Sequence, residues 1–154
     1  MLGAVAGDII GSPYEWNNTQ DRYFELCRGT RGWFRGREIT FHPKFTDDTV
    51  MTLAVARWLM SDGDRNASRL IQVMQSMGRE YIDSGFAPMF KRWILSEDPR
   101  PNNSYGNGAT MRVSHVAMVA GSLPEAITLA RLTAEVSHIH PEGVKGAEAM
   151  AQAV

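Results

Sequence analysis

The chain has a single cysteine, Cys27, in 154 residues. No intramolecular disulfide can form, and a thiolate metal site is excluded because it needs several such ligands. A reducing cytoplasm is the compartment that this cysteine usage points to. Charge of one sign is equally lacking. Sixteen basic against 17 acidic residues leave a net charge of −1, which gives no electrostatic footprint for nucleic acid or an anionic membrane. No run of about 18 apolar residues occurs, and the N-terminus has no basic region leading into an apolar one. Neither a membrane span nor a secretory signal is therefore expected. Internal repeats and low-complexity segments are absent too. What remains, 44% hydrophobic and 21% charged residues, suits one soluble domain over 1–154 with a real core.

The stretch Phe45-Thr46-Asp47-Asp48-Thr49 precedes an apolar run of helical spacing: Met51, Ala54, Val55, Trp58 and Leu59. Two readings compete. In the ordinary one Thr46 is an N-cap and the acids occupy the first turn of a helix over about 47–61, where they complement the positive end of its dipole. In the other, Thr46, Asp47 and Asp48 offer their oxygens to a hard divalent cation, which prefers carboxylate, hydroxyl and water ligands.

Elsewhere the pattern is helical. Leu2, Val5, Ala6, Ile9 and Ile10 mark a helix over 2–11 that Pro13 ends. Gly3, Gly7 and Gly11 form a stripe on it, and the helical cost of glycine implies close approach by another helix or a ligand. Asp8 has little polar company on so apolar a helix, so a polar cleft competes with bulk solvent as its environment. Glu15 follows the break, placed to handle a proton. Residues 17–45 are irregular, rich in Gly, Arg and aromatics, with Ile39-Thr40-Phe41 as a candidate short strand. Asn66 caps a helix carrying Leu70, Val73, Met74, Met77 and Tyr81. A shorter one over about 86–95 buries Phe86, Met89, Phe90, Trp93 and Ile94 as core.

A polar loop, 96–108, leads into Gly106-Asn107-Gly108-Ala109-Thr110-Met111-Arg112 and another apolar helix. A Gly-x-Gly turn at a helix start exposes N–H groups to an anion, typically phosphate. The plain alternative is a loop-to-helix turn. Arg112 adds weight to phosphate because guanidinium pairs well with it. Ser122 and Glu125 form a capping box for the next helix. His138-Ile139-His140-Pro141-Glu142-Gly143 opens the last one, and His140 either caps it or touches a substrate. A zinc pair of His138 and His140 lacks further ligands, while His42 and His115 are undistinguished. About seven helices and no strand set make an all-α bundle.

Taken in order, Gly7 to Glu15, Phe45 to Thr49, Gly106 to Arg112 and His138 to Gly143 resemble the ADP-ribosylglycohydrolase family. The resemblance implies an orthogonal all-α helical bundle, a pair of Mg²⁺ or Mn²⁺ ions, and removal of ADP-ribose from modified protein side chains or related conjugates. Carried over by motif, it implies Thr46, Asp47 and Asp48 as metal ligands and Glu15 as the residue that assists the reacting water or gates the cleft. The same carry-over makes Asp47 and Asp48 catalytic through the metal, and lines the ADP-ribose pocket with Gly106, Asn107, Gly108, Ala109 and Met111. The family's C-terminal Asp-x-Asp-Thr/Ser motif, which completes the second metal site, has no counterpart here. The only Asp-x-Asp, Asp62-Gly63-Asp64, lies in a turn before the wrong helix. The expectation is an apparently truncated bundle whose second metal site is incomplete and whose uncovered apolar face favours a homo-oligomer. Two readings from other classes stay open: a non-catalytic ADP-ribose or nucleotide-binding module, and an unrelated all-α nucleotide phosphohydrolase.

Overall fold

A computed structural model of the chain describes residues 2–15, 30–34, 37–61, 63 and 65–154. Seven α-helices dominate them: α1 (Leu2–Gly11), α2 (Asp47–Leu59), α3 (Ala67–Glu80), α4 (Pro88–Leu95), α5 (Ser114–Val119), α6 (Leu123–Glu135) and α7 (Pro141–Ala153). The fold is all-α with one small addition, an antiparallel pair formed by β1 (Thr30–Phe34) and β2 (Arg37–Phe41), in which Thr30 faces Phe41 and Gly32 faces Ile39. The second strand contains the Ile39–Phe41 segment expected to be extended.

Helix α2 is the centre of the molecule. Thr49, Val50, Met51, Thr52, Ala54, Val55, Ala56, Trp58 and Leu59 are all buried, so this helix is covered on nearly every side, as a core helix must be. It packs most extensively against α3 and also touches α1 and α5, while α6 and α7 pair with each other and both touch α5. Helix α3 shows the opposite pattern. Only the stripe Leu70, Val73, Met74 and Gly78 is buried, and its other face is polar.

Four helix starts follow from local chemistry. The side chains of Thr46, Asn66, Ser122 and His140 accept the N–H groups of Asp48, Arg69, Glu125 and Glu142, each cap being worth about 1 kcal/mol. The capping box at α6 is shifted by one residue, because the Glu125 carboxylate takes the N–H of Gly121 (2.8 Å). Pro141 stands at the start of α7, where the missing N–H costs nothing.

Where α3 crosses α4, the absence of a side chain at Gly78 is required. A Cβ there would lie 2.8 Å from Cδ1 and 2.9 Å from Cγ1 of Ile94, which is itself fully buried. Gly78→Val is therefore expected to lower the unfolding free energy by about 2 kcal/mol through overpacking, read from the urea midpoint at unchanged slope.

The glycine stripe of α1 behaves differently. No described residue in α1 is buried, and no heavy atom lies within 4 Å of a Cβ built on Gly3, Gly7 or Gly11. The expected close approach has no counterpart among the described residues. Nor does any described helix have the length and apolarity to cross a membrane.

Candidate functional site

The site begins with an acid on one helix closing the end of another. Asp8 of α1 accepts four hydrogen bonds from the start of α2: Thr46 N–H (2.7 Å), Thr46 Oγ1 (2.6 Å), Thr49 N–H (3.2 Å) and Thr49 Oγ1 (2.5 Å). These satisfy donors that a helix N-terminus otherwise leaves orphaned, and they put a carboxylate at the positive end of the dipole. Asp8 thus faces a polar junction and not bulk solvent. Thr46 Oγ1 in turn accepts from Asp48 N–H (3.2 Å).

Beside this junction lies a cleft of about 360 Å³. Glu15, Asp47 and Asp48 contribute carboxylates to its lining; Gly106, Asn107, Gly108 and Met111 contribute the turn before α5. Residues far apart in sequence, from Glu15 to Met111, therefore share one cavity.

The carboxylates are electrostatically frustrated. Burial pushes the Asp47 carboxyl up to about 6, with the charge of Asp48 beside it acting the same way. Asp48 is raised by burial and then by Asp8, against a lowering hydrogen bond from Thr46. Glu15 is raised by burial, then by Asp48 and Asp8, and lowered by Lys44. Such mutual repulsion among oxygen donors is what a hard divalent cation would relieve, and carboxylate oxygen is the donor type that such a cation takes. Asp47 and Asp48 border the cleft, while Thr46 is buried with its hydroxyl donated to Asp8. No group of three or more His, Cys, Asp or Glu among the described residues is arranged to hold a metal.

Gly85, between α3 and α4, also borders the cleft. Its φ of +111° is a conformation that side chains rarely adopt, and a Cβ on it would stand 3.2 Å from Asp47 Oδ1. Glycine here leaves one face of that carboxylate open.

The turn of Gly106–Met111 forms a short 3₁₀ helix, Asn107–Ala109. The N–H groups of Thr110 and Met111 both close on the Asn107 carbonyl, at 2.8 and 3.0 Å. Those of Asn107, Gly108 and Ala109 have no protein partner among the described residues, which leaves donors for an anionic group at the cleft.

Three further site residues expected from the sequence do not present their side chains at the cleft wall. Arg112 is fully buried. It donates to the Thr133 carbonyl and to Ser137 Oγ (2.7 Å), and its guanidinium sits 5.9 Å from the centroid of the Phe90 ring. It is not presented to a ligand, because the chain turns inward after Met111 and carries Arg112 and Val113 into the core. Burial lowers its guanidinium to about 9. His140 accepts Glu142 N–H as the N-cap of α7 (3.2 Å) and packs its ring against Tyr105, centroids 5.4 Å apart. The Ala109 methyl is buried, so its backbone alone is available.

Other cleft residues carry no such signal in the sequence. Met89 and Phe90, expected as core, line the cleft; Met89 is 45% exposed. Asn102, Ser104 and His138 line it as well. The loop of 96–108 is tied to the segment before α7, since Asn102 N–H donates to Ser137 O and Ile139 N–H to Asn102 O, both at 2.9 Å. That bridge brings His138 to the cleft, and its partners, about 36 positions apart, leave no periodic trace in the sequence.

The fold and cleft can be set beside known proteins. A profile described as ADP-ribosylglycohydrolase matches residues 1–154. The chain is similar to the ADP-ribosylhydrolase ARH3 of Homo sapiens, at 28% identity over 176 residues covering 100% of this chain and 47% of that protein. It is similar also to that of Mus musculus (27% identity, 100% and 46% covered) and that of Bos taurus (26%, 100% and 47%). The chain spans about half the length of these curated relatives.

Proposed function

Because the chain belongs to the ADP-ribosylglycohydrolase family, we propose that it serves the metal-dependent hydrolysis that frees ADP-ribose from modified protein side chains or related conjugates. The observation that carries this reading is the joint lining of one cleft by Glu15, Asp47, Asp48 and the Gly106–Met111 turn. Thr46, Asp47 and Asp48 would hold Mg²⁺ or Mn²⁺. A bound ion supplies Lewis acidity beside a bond that breaks through a cationic sugar centre.

The remaining roles belong to the chain itself. The free N–H groups of Asn107 and Gly108 orient the diphosphate. Met89, Phe90 and Met111 supply an apolar wall for the nucleoside and exclude water from it. Glu15, its carboxyl raised by burial and by its acidic neighbours, takes up or returns the proton of the reacting water.

Calorimetry tests the assignment directly. ADP-ribose should bind about tenfold more tightly with Mg²⁺ than with a chelator, as expected when an ion shares the ligand's charge, and Asp48→Asn should remove that difference. The lack of a three-ligand cluster among the described residues favours one rival, a non-catalytic ADP-ribose-binding module. Affinity that ignores both Mg²⁺ and chelator would select it.

A further inference from the structure

A chain of three polar groups runs from the core to the cleft: Arg112, Ser137 and His138. Arg112 Nη2 donates to Ser137 Oγ at 2.7 Å, and Ser137 Oγ lies 2.8 Å from His138 Nδ1. All three residues are buried, Arg112 and Ser137 at 0% exposure and His138 at 4%, yet His138 borders the cleft.

The direction of the protons follows from this order. A guanidinium only donates, so Ser137 Oγ must accept from it. An oxygen already accepting from a cation becomes a poorer acceptor and a better donor. Its own hydrogen has two possible destinations: the Ala134 carbonyl at 3.5 Å, at the outer limit of a hydrogen bond, or His138 Nδ1 at 2.8 Å. The shorter bond takes it. Nδ1 then carries a lone pair, and the ring proton resides on Nε2.

Nε2 has no hydrogen-bond partner among the described residues. It stands over Gly108, where a Cβ would come within 3.3 Å of both Nε2 and Cε1. The missing side chain at Gly108 therefore keeps this N–H accessible beside the exposed amides of the turn. Burial, and then the charge of Arg112, lower the His138 imidazole to about 4, which keeps the ring neutral over the working range.

We propose that Arg112 and Ser137 are positioning residues that fix His138 as its Nε2–H tautomer, so that the ring adds one directed donor to the cleft for an acceptor oxygen of the ligand. That ligand is taken to be ADP-ribose, which rests on the function proposed above; the tautomer assignment does not. The device explains why a fully buried cation, two of whose donors, Nε and Nη1, have no partner among the described residues, sits behind the wall instead of on it. It acts through Ser137.

Nitrogen NMR of the full chain labelled at histidine tests this. In the wild type His138 should show an unprotonated Nδ1 and a protonated Nε2 from about pH 5 to about pH 8, the span above its lowered titration. Ser137→Ala should abolish the one-sided pattern and weaken ADP-ribose binding about tenfold, the scale of one lost directed hydrogen bond. Ser137→Thr, which keeps the hydroxyl, should restore both, and this rescue separates positioning from mere packing. A protonated Nδ1 in the wild type, or a pattern unmoved by Ser137→Ala, would overturn the proposal. A one-sided tautomer in a chain that fails to bind ADP-ribose upholds the device and removes only the assigned ligand.

Discussion

Asp47→Asn is expected to stabilise the protein at pH 7 without divalent metal, while eliminating any ADP-ribose release. The two effects have one origin. Folding pushes this carboxyl from 3.8 up to about 6, by burial and by Asp48. A raised acid binds more protons in the folded state than in the unfolded one between those values, so stability falls as pH climbs from about 4 to about 6 and stays low above it. A rise of this size corresponds to about 3 kcal/mol at full coupling; partial solvent access and relaxation of the neighbouring acids leave about 2 kcal/mol. Asparagine is nearly isosteric and uncharged, so it removes this cost at neutral pH and gains little near the acid end of that span. Thermal melts at both ends, in chelator, give the comparison. A variant less stable than wild type at pH 7 would show that the carboxylate is an asset to folding, as the plain helix-end reading of the acids requires. Mg²⁺ should raise the wild-type melting temperature and leave that of the variant unmoved, because only the wild type has two adjacent charges for it to neutralise.

Asp8→Ala should act in the opposite sense, lowering stability by about 3 kcal/mol. It strips four acceptor contacts from the start of α2, and hydrogen bonds to a charged group contribute about 1.5–3 kcal/mol each before compensation. Relief of repulsion with Asp48 and Glu15 offsets a part. Water can reach some of the orphaned donors, since the junction is only partly buried, which offsets more. Urea denaturation measures the loss, and hydrogen exchange at the Thr46 and Thr49 amides should accelerate first. If those amides kept their protection, Asp8 would not be the group that closes the helix.

Much of this architecture is legible in the chain. Thr46, Asn66, Ser122 and His140 announce helix starts because capping is local: the acceptor and its donor lie two or three residues apart. The apolar periodicity of α2 and α3 is local in the same way. The cleft is legible only as far as short motifs reach. Asp47, Asp48 and the Gly106–Met111 turn stand out in this way, but Arg112 misleads. A guanidinium in a phosphate-like motif reads as a ligand partner until one knows that Thr133, Ser137 and Phe90 surround it. Met89 and Phe90 read as core because composition cannot distinguish a buried wall from the wall of a cavity. His138 reaches the cleft through the tie between Asn102 and the segment before α7, a long-range contact that no periodicity encodes. The misreading of Arg112 and the silence of the sequence about His138 share a cause: a side chain's partners, and not its type, decide whether it reaches the cleft.

The four bonds received by Asp8 have a wider implication for how such sites are recognised. With the Thr46 and Thr49 amides at the head of α2 already quenched from outside, the two adjacent acids inside that helix hold only local bonds, to their own N–H groups and, for Asp48, the Thr46 hydroxyl. A threonine followed by two aspartates thus means little until a remote third acid is found to have taken over the sealing task. Surveys of new sequences would gain discrimination by seeking that relieving partner on an upstream apolar helix, and by treating the doublet as idle wherever none exists.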